Sequence, residues 1–196
     1  MSLGKNIHNA FAVVFETLKS IEKLMIKCTS EIDGEAYHMP AERFMRYSSD
    51  LSWEGWIYWS FILLYQRKED GAIMENGWIN APVYAVEINV DSDTCDEPMV
   101  YIAKMNFGDI SDWSKGCSPS NHTLFYNAIH AVDMYEEIET ETGLSKIIAK
   151  VGYEDKVSSS FWGFQNAVCS EIKLVEITAD NYKDKIFGTI EYLSNL

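Results

Sequence analysis

Cysteine is scarce and badly spaced for its usual structural roles. Four occur in 196 residues, Cys28, Cys95, Cys117 and Cys169, and no two form a Cys-x-x-Cys pair. A small disulfide scaffold uses more cysteine per residue, and a zinc site needs closer pairs. The expectation is therefore free thiols in a reducing, cytoplasmic setting. Four prolines and eleven glycines are too few for a collagenous or low-complexity chain. Long apolar runs are lacking too. The most apolar window, Trp56 to Tyr65, is half of the roughly twenty residues that a membrane helix needs. The first residues lead into a patterned helix, not an apolar signal core, so no export signal is expected. Positive charge is also short: 16 Lys and Arg stand against 30 Asp and Glu, a net −14. A field of that sign repels phosphate, which disfavours general nucleic-acid binding and attachment to anionic membranes.

What is present is apolar and aromatic, at 47% and 13% of residues, enough to exclude a disordered chain. The length suits one domain with a sizeable core, and no repeat or composition break divides it. Ile7, Phe11, Val14, Phe15, Leu18, Ile21, Met25 and Cys28 recur at three- and four-residue steps, which predicts an amphipathic helix over 6–29. A short helix is expected over 41–47. The run 56–65 is apolar on both faces and reads as a central, covered strand. Residues 83–90 alternate apolar with Glu87 and Asn89, as in a half-buried strand, and 99–107 reads as its hairpin partner. Ser118-Pro119 looks like the start of a helix whose stripe, Leu124, Phe125, Ala128, Ile129, Val132 and Tyr135, runs to about Thr142, with Gly143 as its C-terminal cap. Strands are expected over 145–153 and 168–178, and a last helix carries Tyr182, Ile186, Ile190 and Leu193. The expected class is α+β: a single domain with an antiparallel or mixed sheet of about five strands and helices packed on it, in the order α-β-β-β-α-β-β-α.

The negative charge is not spread evenly. Between Glu87 and Glu141 twelve acids face two bases, Lys104 and Lys115, so fifty-five residues carry −10 of the net charge. One reading is a solvated face; the sharper one is a docking surface for a basic protein partner, whose approach opposite charge accelerates. The residues that would carry it are Asp91, Asp93, Asp96, Glu97, Glu136, Glu137, Glu139 and Glu141. An inhibitor, an immunity-type protein or another regulator fits this pattern. A calcium hand does not: Asp91-x-Asp93-x-Cys95-Asp96 begins like one, but its fifth position is Cys95, its sixth Asp96 and its twelfth Ile102.

Catalytic motifs are missing. There is no Gly-x-Ser-x-Gly elbow and no Gly-x-x-x-x-Gly-Lys-Ser/Thr phosphate loop. His122 and His130 are eight apart on one expected helix, two turns from sharing a zinc ion, and Asp133 could pair with His130. No cofactor is implied on this reading.

Two alternatives stay open. The order helix, three strands, helix, strand resembles the core of the PD-(D/E)xK nuclease-like superfamily. That resemblance implies a magnesium site, with Glu87 or Asp91 as the second-strand acid and Lys104 assisting the attacking water. Ile102 stands where the family's second carboxylate belongs, so one metal ligand is absent. The other alternative is a small-ligand sensor. Trp53, Trp56, Tyr58 and Trp59 could line its pocket, and Ser158-Ser159-Ser160 with Phe161-Trp162-Gly163-Phe164 could act as a lid or simply pack on the core.

Overall fold

The structure is a computed structural model that describes residues 2–30, 36–41, 44–46, 56–91, 95–117 and 121–196. These fall into two compact units, residues 1–35 and 36–196.

The first unit is one helix, α1 (Leu3–Ser30). Its apolar residues repeat at helical spacing, and the predicted 6–29 is extended by about a turn at the front. At 1.5 Å per residue it is about 42 Å long. Lys27 lies in its last turn, where a cation complements the exposed carbonyls.

The second unit is α+β, as expected, but its sheet is larger. Among the described residues it has eight strands: β1 (Tyr37–His38), β2 (Met45–Arg46), β3 (Ser60–Arg67), β4 (Val83–Asn89), β5 (Met99–Phe107), β6 (Tyr135–Glu139), β7 (Ser145–Ala149) and β8 (Phe164–Lys173). Their order is β1-β3-β4-β5-β8-β7-β6, with β2 also pairing to β3. Every pairing is antiparallel. The helices of this unit are α2 (His122–Ile129), α3 (Glu154–Ser160) and α4 (Gly188–Ser194), the last entered through a π-helical stretch over Lys183–Phe187.

Several expectations change. The strand expected over 56–65 is Ser60–Arg67, with Trp56 and Ile57 exposed ahead of it, and the strand expected over 145–153 stops at Ala149. The helix predicted to reach Thr142 stops at Ile129, and Tyr135–Glu139 becomes edge strand β6. The break is conformational: Ala131 and Asp133 take positive φ, 47° and 55°, which no helix continues through. Gly143, at φ 74°, turns the β6–β7 hairpin instead of capping a helix. The short helix expected at 41–47 is not found among its described residues: Ala41 is a bend and Met45–Arg46 form β2, while 42, 43 and 47 lie outside the described set. The Ser118-Pro119 cap also lies outside it. Finally, β8 begins at Phe164, four residues early, because Phe164 and Ala167 are core residues paired to β5 and β7.

Both sheet faces are covered. Cross-strand partners share a face, so Ile62, Glu87, Tyr101 and Glu171 line up across β3, β4, β5 and β8. Leu124, Phe125, Ala128 and Ile129 of α2 pack on that side with Ile62, Leu64, Ala85 and Ala103. Fully burying a side chain such as Phe125 stabilises by about 1.5–3 kcal/mol. The opposite side meets the C-terminal helix: Phe187 packs on Tyr37 and Tyr65. Trp113 stacks edge-on against Trp78, Phe107 and Trp162 at the lower end of the α2 side. So Phe161 and Trp162 close the core where a lid was the alternative.

One glycine is demanded there. Gly163 has φ 78°, and a Cβ on it would stand 3.4 Å from the backbone nitrogen of Gly108, whose N–H donates to the Gly163 carbonyl at 2.8 Å. Gly163→Ala is expected to cost about 1–3 kcal/mol in urea unfolding.

Candidate functional site

Buried polar residues lie on the α2 side near the end of β4. Glu87 and Asn89 belong to what reads as the solvent face of a half-buried strand, yet both are fully buried, as is Ser60. Burial of such groups requires partners, and each has them. Ser60 Oγ donates to Glu87 Oε1 at 2.6 Å, and Asn89 Nδ2 donates to the same oxygen at 3.2 Å. The other oxygen, Oε2, lies 2.8 Å from His130 Nε2. His122 Nε2 lies 2.8 Å from Ser60 Oγ. A hydroxyl has one proton, and here Glu87 takes it, so Ser60 accepts from an Nε2–H of His122. Burial, and secondarily His130, pulls the His122 imidazole down to about 4, so it is neutral at neutral pH.

The helix places the two histidines. His122, Tyr126 and His130 are four apart and share one face of α2 and its C-terminal cap. Tyr126 stacks on His122 with ring centroids 5.2 Å apart and meets His130 at 4.4 Å. Tyr101 packs edge-on against His130 from β5, and Trp59 edge-on against His122 and Tyr126. The pair expected between His130 and Asp133 is not formed; Asp133 has left the helix, and Glu87, 43 residues away, takes its place.

This order of groups limits the chemistry. In a hydrolytic triad the imidazole sits between serine and acid and removes the hydroxyl proton. Here the serine sits between imidazole and acid, its proton faces the carboxylate, and it is sealed from solvent. The network therefore ties α2 to β3 and β4. The residues of the nuclease-like alternative are not brought together. Glu87 opposes Tyr101 in register and faces α2, whereas Lys104 opposes Tyr84, faces the other side, and donates to the Ser194 carbonyl of α4 at 3.4 Å. Asp91 follows Asn89, whose Oδ1 accepts its backbone N–H at 2.8 Å. Among the described residues no three His, Cys, Asp or Glu side chains are placed to hold a metal ion.

The acids of the docking surface have a clear location. β4 ends, β5 begins, β8 ends, β7 begins and β6 ends at the same end of the sheet, as the registers Asn89↔Met99, Met99↔Lys173, Ser145↔Cys169 and Glu139↔Ser145 require. The β4–β5 connection, with Asp91, Asp96 and Glu97, and the β6–β7 turn, with Glu141, therefore leave from this end. Asp93 lies outside the described residues. Glu136, Glu137, Glu139 and Glu141 are exposed. Glu97 meets Lys173 at 2.5 Å, and Ser145 Oγ donates to Glu137. Asp109 and Asp112, also in the acid-rich segment, follow β5 at the other end.

No protein-family model, curated protein or solved structure matches this chain. The site therefore rests on its own geometry.

Glu171 registers the crowding of negative charge. Its carboxyl is raised above the ordinary range by burial and then by Glu137, while His130 acts in the opposite sense. The four cysteines are free thiols. Cys169 is buried beneath these acids, and desolvation and then Glu171, Glu87 and Glu137 push its thiol well up, away from the reactive thiolate. Of the proposed aromatic pocket, Trp53 lies outside the described residues, Trp56 is exposed, and Trp59 packs on α2. No helix among the described residues is long and apolar enough to cross a membrane.

Proposed function

We propose that this protein binds a basic protein surface, and that the docking surface is the acid-bearing β6 edge of its sheet together with the end from which the β4–β5 connection leaves. The observation that carries this reading is that two acid-bearing loops distant in sequence leave the sheet in the same direction, with the exposed acids Glu136, Glu137 and Glu139 running along the adjoining edge strand β6. Registers across five strands send the β4–β5 connection and the β6–β7 turn out of one end. Opposite charge there steers a basic partner and raises its association rate, more at low salt than at high. Glu171 adds secondary support: burial is the main cause of its raised carboxyl, and the Glu137 charge that adds to it is one a cationic partner would neutralise. The buried Glu87 network supplies a rigid footing by fixing α2 against β3 and β4 beneath that end.

The test titrates a fluorescent lysine- and arginine-rich peptide against the chain and against the variant Glu136→Gln, Glu137→Gln, Glu139→Gln, Glu141→Gln. The expected result is a loss of about tenfold in affinity at low salt, since four exposed charges at a few tenths of a kcal/mol each approach one decade. The salt dependence should weaken in parallel. Equal binding by both proteins, or binding indifferent to salt, would overturn the proposal.

A further inference from the structure

Strand β6 is the last strand of the sheet's ordered path, with β7 as its paired neighbour. The hairpin's hydrogen bonds show which of its backbone groups face outward. Thr140 N–H donates to the Leu144 carbonyl at 2.8 Å, and Lys150 N–H donates to the Met134 carbonyl at 2.9 Å. These mark hydrogen-bonded pairs at both ends of the ladder. Antiparallel pairs alternate, so 136 with 148 and 138 with 146 are the inward-bonded pairs between them. The N–H and C=O groups of Glu137 and Glu139 therefore point away from β7. Tyr135 N–H is already taken by the Val132 carbonyl, so the edge left open among the described residues starts at Glu137. Glu136, Glu137, Ile138 and Glu139 are all solvent-exposed.

An open edge is a template for another strand, and its side chains decide which strand it accepts. Three of these four residues carry negative charge, on both sides of the strand. Like charges directly opposite repel, so an acidic segment, including β6 of a second copy, is disfavoured, and alternating lysine or arginine is favoured. We infer that an extended Lys- and Arg-bearing segment of the partner adds to the sheet alongside β6, hydrogen-bonding the backbone of Glu137 and Glu139. This rests on the docking reading above and gives the partner a conformation as well as a charge. A globular basic surface or a basic helix would use the charge and leave the edge unfilled.

The experiment uses two peptides with the same alternating Lys-Thr sequence of twelve residues. One carries ordinary peptide bonds; its twin is N-methylated at consecutive central positions, which removes donors from both edges and leaves the charge unchanged. Anisotropy titrations at low salt should show the ordinary peptide binding about tenfold more tightly than the twin, the scale of a few lost hydrogen bonds. Glu137→Pro, which removes an outward N–H and leaves the inward ladder intact, should abolish that preference while thermal unfolding stays cooperative. Should the proline variant fail to fold, the comparison of twins on the unaltered chain decides alone. Equal affinity for the twins overturns strand addition and leaves docking by charge standing. Binding of neither peptide overturns both.

Discussion

Replacing Glu87 by alanine is expected to destabilise the second unit by about 3–5 kcal/mol, the scale for leaving two or three buried hydrogen-bonding groups without a partner at about 1–3 kcal/mol each. The reason is what remains behind. Ser60, Asn89 and His130 all direct hydrogen-bonding groups at this carboxylate, and Ser60 and Asn89 have no solvent to turn to. In a unit of this size the loss corresponds to a fall in Tm on the order of 10 °C. His130→Ala should cost less, because His130 reaches solvent at 12% of its side chain while Glu87 has none. The double variant should cost clearly less than the sum, since the two residues share one interaction. Additive effects, or a Glu87→Ala cost below about 1 kcal/mol, would show that the carboxylate is not the centre of the network.

Acid should unfold the protein earlier than its surface carboxylates alone would dictate, because of His122. Burial holds its folded value at about 4, against an ordinary 6.5. Above 6.5 the imidazole is neutral in both states and nothing is lost. As pH falls from 6.5 towards 4, the unfolded chain takes up this proton and the folded one does not, so stability declines. The loss from this one group is on the order of 3 kcal/mol across that window. Below 4 both states are protonated and the contribution levels off. His122→Gln keeps a side-chain donor near Ser60 and does not titrate. Urea unfolding from pH 7 to pH 4 should therefore show a shallower fall for this variant than for the unaltered chain. Parallel curves would mean that His122 is not held neutral by its site.

Much of the framework is legible in the sequence where one period dominates. The three- and four-residue steps from Ile7 to Cys28 predict α1, and the doubly apolar run 56–65 predicts a strand with both faces covered; β3 is that strand over Ser60–Arg67, while Trp56 and Ile57 at the front of the run are exposed. The boundaries of β5 are those predicted. β6 is the instructive exception. Tyr135-Glu136-Glu137-Ile138-Glu139 is rich in helix-forming glutamate and continues the stripe of α2 in phase. The turn that ends the helix uses Ala131 and Asp133 at positive φ, with no glycine to mark it. Pairing with β7 then overrides local preference.

The site was legible only in part, for a related reason. Charge counting locates the acid-rich segment but cannot show that its loops leave the sheet in the same direction, because the strands that join them lie outside it: β7 and β8. Glu87 and Asn89 look solvent-facing under strict alternation, and only their partners explain their burial. Those partners, Ser60, His122 and His130, are 27 to 43 residues distant from Glu87 or Ser60 or, for His122, 62 from Ser60. One local signal was present. The four-residue spacing of His122, Tyr126 and His130 puts three polar aromatics on one helix face, and such a face needs a polar counterpart on the sheet.

The measurement that bears most directly on the docking surface is an amide NMR titration of the chain with the ordinary Lys-Thr peptide. On the docking reading, shifts should concentrate at 136–141, strongest at Glu137 and Glu139, and extend to 95–97, with residues 108–113, which follow β5 three strands away from β6, unmoved. Shifts centred on 108–113 or on α4, or none at peptide concentrations well above the dissociation constant from anisotropy, would contradict it.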